Sequence, residues 1–403
     1  MTSLFAAVEL APRDPILGLN EAFNADTREN KTNLGVGVYF TDAGKIPLLR
    51  AVQKAETLRA AAQAARGYLA IEGIQAYNLG VQGLLFGACD AGKAILAEGR
   101  AVTAQALGGT GALKIGADFI KRMAPNATVS ISDPSWENHR ALFEGAGFLV
   151  NNYPYYDAAT HGVKFGDMMA YFATLPAQSV VVLHACCHNP TGVDLTADQW
   201  AQVVASCQKN QLIPFLDLAY QGFADGIQED GLAVDLFAAS GLQFFVSSSF
   251  SKSFSLYGER VGALTIVTAS KEESARVLSQ LKRVIRTNYS NPPTHGGTVV
   301  SMVLNSPELR AEWEAELGEM RVRIKQMRVG FVEGLKARGV ARNFDFVAKQ
   351  RGMFSYSGIT SAQVDILRTD FGIYAVGTGR ICVAALNSKN MPAVLDAVAA
   401  VLK

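Results

Sequence analysis

Several short runs of the chain are apolar at nearly every position, with no alternation between apolar and polar residues. They are 101-AVTAQAL-107, 128-TVSIS-132, 180-VVVLHACC-187, 212-LIPFLD-217, 242-LQFFVSS-248 and 261-VGALTIV-267. A β-strand of this kind buries both of its faces, so it belongs in a mostly parallel sheet with helices on each side. Segments of helical periodicity lie between the runs, among them 112–123 and 196–210, where Thr196 is placed as an N-cap. The pattern predicts an α/β fold.

Two further features refine this topology. The runs 242–248 and 261–267 are too close in sequence for a crossover helix, which predicts one antiparallel strand. The segment 308–339 has the pattern of a long amphipathic helix that leads into a second unit, and we place the boundary between the units near residue 320. The shorter elements predicted in the second unit are strands within 344–358 and 379–386 and a helix over 361–372.

Charge and composition exclude several classes of partner. The 403 residues include 37 basic and 36 acidic side chains without a long charged run, so we expect neither nucleic acid nor a membrane surface as a partner. No stretch of 18 apolar residues occurs, and the first residues lack the basic segment of a signal peptide. The five cysteines are an odd number and widely spread, as is typical of reduced thiols. We expect a soluble cytoplasmic protein.

Polar residues follow each of five predicted strands. Ligands of such sheets bind beyond the carboxyl ends of the strands, so these residues are candidates for one common site. The segments are Gly108–Gly111, Asp133–Trp136, His188–Gly192, Asp217–Tyr220 and Ser249–Lys252.

The chemistry of these residues suggests a charged ligand. The glycine-rich turn at 108–111 matches neither the dinucleotide fingerprint nor the P-loop, but it precedes a predicted helix, whose N-terminus favours a phosphate. Asp217 ends a buried strand and needs a cationic partner. Lys252 stands among serines and phenylalanines, where burial lowers the pKa of an amine and makes it a nucleophile. Arg260 offers a fork for phosphate or carboxylate.

Each feature alone also has a structural interpretation. The turns at 108–111 and 189–192 are compatible with ordinary tight turns, Trp136 with a core residue, and Lys252 and Arg380 with solvated surface side chains. A metal site is a further alternative, because His184 and His188 lie near Cys186 and Cys187 in the sequence. Residues four apart in a strand share a face but lie far from each other, and adjacent cysteines point to opposite faces, so we expect no metal.

Taken together, the residues call for a phosphorylated ligand with a cationic ring nitrogen and an electrophile that lysine attacks. Pyridoxal phosphate has these three properties. A nicotinamide dehydrogenase is an alternative of similar fold, but its G-x-G-x-x-G motif follows none of the candidate strands. A non-catalytic relative would be marked by loss of Lys252 or Asp217, and both are present.

The sequence resembles the class I aminotransferases among the fold-type I pyridoxal-phosphate enzymes, specifically the bacterial aspartate and aromatic amino-acid aminotransferases. The motifs that carry the resemblance are 33-NLGVGVYF-40, 108-GGTGALKIGADF-119, 133-DPSWENH-139, 184-HACCHNPTG-192, 216-LDLAYQGF-223, 247-SSSFSKSFSLYGERVGAL-264, 286-RTNYSNPPTHG-296, 352-GMFSYSG-358 and 379-GRICVA-384. The resemblance implies a large domain with a mostly parallel seven-stranded sheet flanked by helices, plus a smaller α/β domain. We assign residues 1–12 to an N-terminal arm, 46–320 to the large domain, and 13–45 with 321–403 to the small domain.

The resemblance also implies catalytic and cofactor-binding roles. Lys252 is the Schiff-base lysine that moves the proton of the substrate α-carbon, Asp217 pairs with the pyridine nitrogen, and Tyr220 and Asn189 hydrogen-bond the 3′-oxygen. The other implied contacts are ring stacking by Trp136, phosphate binding by Gly109, Thr110, Ser249, Arg260 and Tyr68 of the neighbouring subunit, and support of Asp217 by His139 and His184.

Substrate binding follows from the same resemblance. It assigns Arg380 to the α-carboxylate, assisted by Gly37 and Asn189, with Trp136 and Phe354 as further substrate contacts. Arg286 matches the residue that reaches across a dimer interface to the distal carboxylate of aspartate or glutamate. The resemblance therefore implies a homodimer with shared active sites, and 2-oxoglutarate and glutamate as one substrate pair.

The second amino acid is less clearly indicated. Phe40, Ile46 and Gly108 resemble the branch that accepts aromatic substrates, whereas Val38, Thr110 and Asn291 resemble the aspartate branch. We expect dual specificity for aromatic amino acids and aspartate. An enzyme specific for aspartate is the alternative.

Overall fold

The computed structural model of the protein describes residues 3–11, 14 and 16–403. The strands are β1 Thr32–Asn33, β2 Ala101–Leu107, β3 Val129–Asp133, β4 Val150–Pro154, β5 Tyr156–Asp157, β6 Gly162–Val163, β7 Val180–His184, β8 Ile213–Leu218, β9 Phe244–Ser249, β10 Val261–Val267, β11 Phe354–Tyr356, β12 Ile373–Tyr374 and β13 Arg380–Cys382. The helices are α1 Leu17–Ala25, α2 Arg50–Ala61, α3 Gln75–Phe86, α4 Asp90–Ala97, α5 Gly108–Met123, α6 Glu137–Gly145, α7 Phe165–Thr174, α8 Ala197–Lys209, α9 Leu232–Ser240, α10 Lys271–Asn288, α11 His295–Asn305, α12 Pro307–Ala337, α13 Asp345–Lys349, α14 Ser361–Phe371 and α15 Met391–Val401.

A seven-stranded sheet in the order β2-β10-β9-β8-β7-β3-β4 forms the centre of the fold. The strand β10 is antiparallel to both of its neighbours, and the pairings from β9 to β4 are parallel. The predicted fold class and the antiparallel neighbour are therefore confirmed. The edge strand β4 was not predicted, because its sequence VNNYP is only partly buried and has no continuous apolar run.

Both faces of the sheet are covered, as the apolar runs predict. Val181 and Leu183 of β7 belong to one core, and Val180 and Val182 belong to a second core on the other face. The strand itself ends at His184, earlier than the predicted run 180–187. The carboxylate of Asp194 explains this end, since it accepts hydrogen bonds from the backbone N–H groups of Cys187 and His188 at 2.8 Å each.

Three two-stranded sheets lie outside the central sheet among the described residues. The strand β1 pairs with β12, β11 pairs antiparallel with β13, and β5 pairs with β6. The strands predicted within 344–358 and 379–386 are confirmed by β11 and β13, whereas residues Asp345–Lys349 form the helix α13, which was not predicted. Phe344 and Val347, three residues apart, both point into the core, which is the spacing of a helix and not of a strand.

The helix α12 confirms the long amphipathic helix predicted over 308–339. Glu312 pairs with Lys54 of α2 near its N-terminus, whereas Lys336 pairs with Asp345 of α13 and Arg338, which caps its C-terminus, pairs with Asp396 of α15. The predicted boundary near residue 320 falls between these two sets of contacts, and the division into domains stays a prediction. In the predicted arm, Met1, Thr2 and Pro12 lie outside the described residues.

Among the described residues, none of the helices is both long enough and apolar enough to cross a lipid bilayer.

The capping box of α8 yields a stability prediction. The Thr196 side chain accepts a hydrogen bond from the Gln199 N–H, while the Gln199 side chain accepts one from the Thr196 N–H. We expect Thr196→Ala to lower the free energy of unfolding by about 1 kcal/mol. Chemical denaturation of both proteins measures this difference. Thr369→Ala, an exposed position within α14, is the matched control and should change stability by less than about 0.5 kcal/mol. Equal effects of the two substitutions would refute the capping contribution.

Candidate active site

A cavity of about 310 Å³ lies beyond the carboxyl ends of β7, β8 and β9, where the polar segments were predicted to converge. Twelve of the fourteen predicted site residues line it: Gly37, Gly109, Thr110, Trp136, Asn189, Asp217, Tyr220, Ser249, Lys252, Arg260, Phe354 and Arg380. The strand order explains this convergence, because β8 lies between β7 and β9 and Asp217 pairs in register with His184 and Ser247.

One part of the cavity is a cradle for an anion. Gly108 begins α5 at a φ of +68°, and its N–H donates to the Arg260 carbonyl at 2.9 Å. A Cβ placed on Gly108 would lie 2.7 Å from Nη2 of Arg260, so glycine allows the guanidinium to approach this turn. Thr110 and Ser249 line the same cavity with their hydroxyl-bearing side chains. The free N–H groups of a helix start, hydroxyls and a guanidinium are the donor set that binds phosphate.

The carboxylate of Asp217 is buried in the cavity wall and hydrogen-bonded to a histidine. Nε2 of His139 lies 2.8 Å from Oδ2 of Asp217, and Nδ1 of His139 lies 2.9 Å from Oγ of Ser135. Burial raises the pKa of Asp217, but the hydrogen bond with His139 and the positive charge of Lys252 are among the effects that more than offset it. The pKa of Asp217 therefore lies below its usual value, and the group is ionised at neutral pH.

His184 lies beside His139, and neither of its ring nitrogens has a hydrogen-bond partner among the described residues. Its ring centroid is 4.9 Å from that of His139 and 4.2 Å from that of His188. Burial, together with these two neighbours, lowers the pKa of His184 well below its usual value, so the ring is neutral. Ligand atoms of His139, His184 and Asp217 lie within 4.8 Å of one another, as in a possible metal-ligand set. The expectation that no metal binds here stays a prediction.

The amine of Lys252 faces the ring of Tyr220, with Nζ 4.9 Å from the ring centroid. Burial lowers the pKa of Lys252 to about 8, although the charge of Asp217 acts in the opposite direction. Burial raises the pKa of Tyr220, so its phenol is a neutral hydrogen-bond donor. A substantial fraction of the Lys252 amine is therefore unprotonated at mildly alkaline pH.

A second cationic group in the cavity is the buried guanidinium of Arg380. It donates from Nη1 to Oδ1 of Asn189 at 3.1 Å and from Nη2 to the Gly35 carbonyl at 2.6 Å, while its Nε has no partner. Its central carbon lies 4.3 Å from the ring centroid of Phe354. Within the described part of the chain, Arg380 forms no ion pair with a carboxylate, so a carboxylate ligand would complete its hydrogen bonding.

Of the remaining predicted site residues, some line the cavity and others do not. Trp136 lines the cavity, edge-on to His139. A Cβ placed on Gly37 would lie 2.7 Å from Cζ of Phe354, so this position requires glycine. Tyr68 and Arg286 do not line the cavity; the Tyr68 side chain is 97% exposed, and Arg286 is an exposed residue whose guanidinium donates to Ser290.

The residues that resemble either the aromatic or the aspartate branch also differ in position. Val38 and Thr110 line the cavity, whereas Phe40, Ile46, Gly108 and Asn291 do not. Sequence reasoning missed Leu113 and Tyr257, which do line it. Leu113 lies one helical turn after Gly109, and Tyr257 falls between Lys252 and Arg260 within the quoted motif, so both could have been found by these spacings.

The α/β fold places in one cavity a set of donors suited to an anion, a buried amine with a carboxylate nearby, and a buried arginine that forms no ion pair within the described residues. A sequence profile described as aminotransferase class I and II matches residues 29–398. The chain is 68% identical over 400 residues to an aspartate aminotransferase of Pseudomonas aeruginosa and 51% identical over 400 residues to an aromatic-amino-acid aminotransferase of Escherichia coli, covering 99% of this chain and 100% of each relative.

A solved structure gives the same result. The crystal structure of the aromatic-amino-acid aminotransferase from Burkholderia pseudomallei, covalently bound to pyridoxal phosphate, matches at 68% identity with a TM-score of 0.96 and covers 100% of both chains. The chain belongs to the class I and II aminotransferase family, and it is an aminotransferase. The family and the fold implied by the sequence motifs are confirmed.

The buried amine of Lys252 predicts a pH dependence of stability in the ligand-free protein. Its pKa is lowered from 10.5 to about 8 by folding, so between these values the unfolded chain binds more protons than the folded one. The cost of the buried ammonium is present in full below about pH 8 and is relieved as the pH rises toward 10.5. Wild type should therefore gain stability relative to Lys252→Met over this range.

Denaturation midpoints of the two proteins between pH 7 and 10 measure the effect. The exposed Lys389→Met serves as the control and should track wild type at every pH. A constant difference between wild type and Lys252→Met would show that Lys252 is not perturbed.

Proposed function

We propose that this chain is a pyridoxal-phosphate-dependent aminotransferase that transfers the amino group of aromatic amino acids (tyrosine, phenylalanine, tryptophan) and of aspartate to 2-oxoglutarate by a ping-pong mechanism. The observation that best supports this proposal is that Lys252, Asp217, Arg260 and Arg380 all line one cavity. In the described part of the chain, neither arginine forms an ion pair with a carboxylate. Two anionic groups of bound molecules would fill these two positions.

The residues fit pyridoxal phosphate. Bound in the cavity, this group supplies a protonated pyridine ring that stabilises negative charge at the substrate α-carbon. Arg260, the start of α5 at Gly109, and the hydroxyls of Thr110 and Ser249 would hold the phosphate. Asp217 would pair with the ring nitrogen, and its lowered pKa keeps it ionised for this purpose. Trp136 would cover the ring, and Tyr220 and Asn189 would bond its 3′-oxygen.

Lys252 would act twice, first as a nucleophile and then as a base. As a nucleophile, Nζ would hold the cofactor at its aldehyde carbon until a substrate amine takes this position. As a base, the same Nζ would take the proton from the substrate α-carbon. A pKa of about 8 suits this exchange, because the amine can accept and return a proton near neutral pH.

Arg380 would bind the α-carboxylate of every substrate. Asn189 and the Gly35 carbonyl fix two of its nitrogens, and Phe354 packs against its face, so the guanidinium is held in one orientation before substrate arrives. Because Gly37 adjoins the Phe354 ring, this wall of the cavity is formed by backbone and an aromatic ring.

The dual specificity is supported by apolar groups around the cavity. Val36, Val38, Leu113 and Trp136 line it, and burial of an aromatic side chain against such groups contributes about 1.5–3 kcal/mol. The relatives carry both names, aspartate and aromatic-amino-acid aminotransferase. Specificity for aspartate alone is the second candidate, favoured by the name of the 68% identical Pseudomonas aeruginosa relative.

The proposal includes a homodimer in the cytoplasm. Tyr68 and Arg286 are exposed and do not line the cavity of their own chain, which is compatible with their action on the cavity of a partner subunit. Tyr68 would then add to the phosphate site, and Arg286 would bind the distal carboxylate of aspartate, glutamate and 2-oxoglutarate. The division into an arm, a large domain and a small domain belongs to the same proposal.

A spectroscopic half-reaction tests the core of the proposal. Wild type should show a visible absorption band of the bound cofactor that disappears when glutamate, aspartate or phenylalanine is added. Lys252→Ala should lack the pH-sensitive form of this band and lose at least about 100-fold in turnover, because nucleophile and base are removed together. Lys389→Ala is the control and should behave as wild type. A wild-type protein without any such band, or full turnover of Lys252→Ala, would refute the proposal.

Arg286 tests the substrate assignment and the dimer together. Arg286→Ala should lower kcat/KM for aspartate and 2-oxoglutarate roughly 10- to 100-fold, the equivalent of one charged hydrogen bond, with a change below about threefold for phenylalanine. Mixed dimers of Lys252→Ala and Arg286→Ala subunits should regain aspartate activity, because one of their two sites contains both wild-type residues. Absence of regained activity in mixed dimers would exclude action across the interface.

A further inference from the structure

Arg328 is an arginine of α12 that is as deeply buried as Arg380 but lies outside the cavity. Its side chain is 1% exposed. In the part of the chain that the structure describes, its guanidinium has no carboxylate within ion-pairing distance. Burial lowers the pKa of Arg328 to about 10, so the group stays charged at neutral pH. A buried charge without a counter-ion must be compensated by hydrogen bonds.

Four backbone carbonyls from one short segment provide this compensation. Nη1 donates to Val347 at 3.0 Å, and Nη2 donates to Arg351 at 3.2 Å, to Gly352 at 2.8 Å and to Phe354. We call residues 347–354 the carbonyl loop. It runs from the second half of α13 to the start of β11, and its residues 350–353 lie in neither element. The guanidinium therefore ties the connecting residues to the helix before them and to the strand after them.

The carbonyl loop forms one side of the proposed α-carboxylate site. Phe354, at its end, packs against the guanidinium of Arg380 and against Gly37. The N–H of Arg351 donates to the Gly192 carbonyl at 2.7 Å, and this bond links the loop to the turn that carries Asn189. The Met353 carbonyl accepts from the N–H of Val383, next to β13, which begins at Arg380. The loop thus contacts all three parts of the α-carboxylate site, namely Phe354, the Asn189 turn and the Arg380 strand.

We propose that Arg328 is a positioning residue for substrate binding, which acts through the carbonyl loop to hold Phe354, Asn189 and Arg380 in the geometry that receives the α-carboxylate. Within the described residues, Arg328 hydrogen-bonds to none of the residues assigned to the phosphate or to the ring nitrogen. Its effect should therefore fall on substrate affinity and spare the cofactor. The inference rests on the proposed function, because it presupposes that Arg380 binds a substrate carboxylate.

The test compares Arg328→Lys and Arg328→Gln with wild type as holoenzymes. Lysine keeps the charge without the planar fork, so it cannot bond all four carbonyls in their present positions. Glutamine brings no charge into the core and keeps two donor hydrogens, so it is suited to fold even where lysine is not. For each variant, KM and kcat for glutamate and phenylalanine are measured per bound cofactor, together with the thermal midpoint and the visible absorption band.

We expect KM to rise roughly tenfold for both amino acids, the equivalent of about one weakened hydrogen bond to the α-carboxylate. We expect kcat within about threefold of wild type and an unchanged absorption band. The rise should be smaller for Arg328→Lys than for Arg328→Gln if the charge contributes to holding the loop. Arg338→Gln is the matched control, since Arg338 flanks the same helix and bonds the Gly334 carbonyl far from the carbonyl loop. It should leave KM unchanged.

A lowered thermal midpoint with KM unchanged in both variants would overturn the inference, because Arg328 would then contribute only to the stability of the fold. A changed absorption band with KM unchanged would overturn it equally. Failure of the proposed function is a separate result, since wild type itself would then not convert glutamate.

Discussion

The ionised carboxylate of Asp217 at the end of β8 is the charge around which the cavity is arranged. A carboxylate that is 5% exposed is tolerated only with nearby donors and positive charge, and these come from His139 on α6 and Lys252 after β9. The strands β7, β8 and β9 are parallel neighbours, so their ends lie side by side. Residues from separate segments of the chain therefore surround one buried charge. In the proposed enzyme, the cofactor ring nitrogen joins the same set of interactions.

Arg328 and Arg380 show two uses of a buried guanidinium. Within the described residues, Arg380 keeps one nitrogen without a partner and lines the cavity, as the proposed binding role requires. Arg328 donates to four carbonyls and does not line the cavity. Exposure does not distinguish the two arginines, since both are 1% exposed and both lack a carboxylate in the described chain. Burial alone therefore does not show whether an arginine binds a ligand or holds the backbone in place. The hydrogen-bond partners of its guanidinium show which of the two applies.

Local sequence was sufficient for the central sheet and for most of the cavity, because continuous apolar runs and the polar residues after them both follow from burial. It was insufficient at β4, whose exposed edge position permits asparagine and proline, and at α13, where helix and strand patterns cannot be distinguished over five residues. Tyr68 and Arg286 could be proposed only through family resemblance, since nothing in one chain brings them to the cavity. The role of Arg328 depends on backbone carbonyls. Every residue has one, so the sequence does not show which carbonyls accept its hydrogen bonds.

The helix α12 has a mechanical consequence. Its 31 residues span about 46 Å, and its two ends are fastened to different sets of elements, α2 at one end and α13 and α15 at the other. Because a continuous helix resists stretching, α12 fixes the distance between the two sets of elements that its ends contact. Arg328 lies in the second half of this helix, so the element that sets this distance also carries the donor that binds the carbonyl loop.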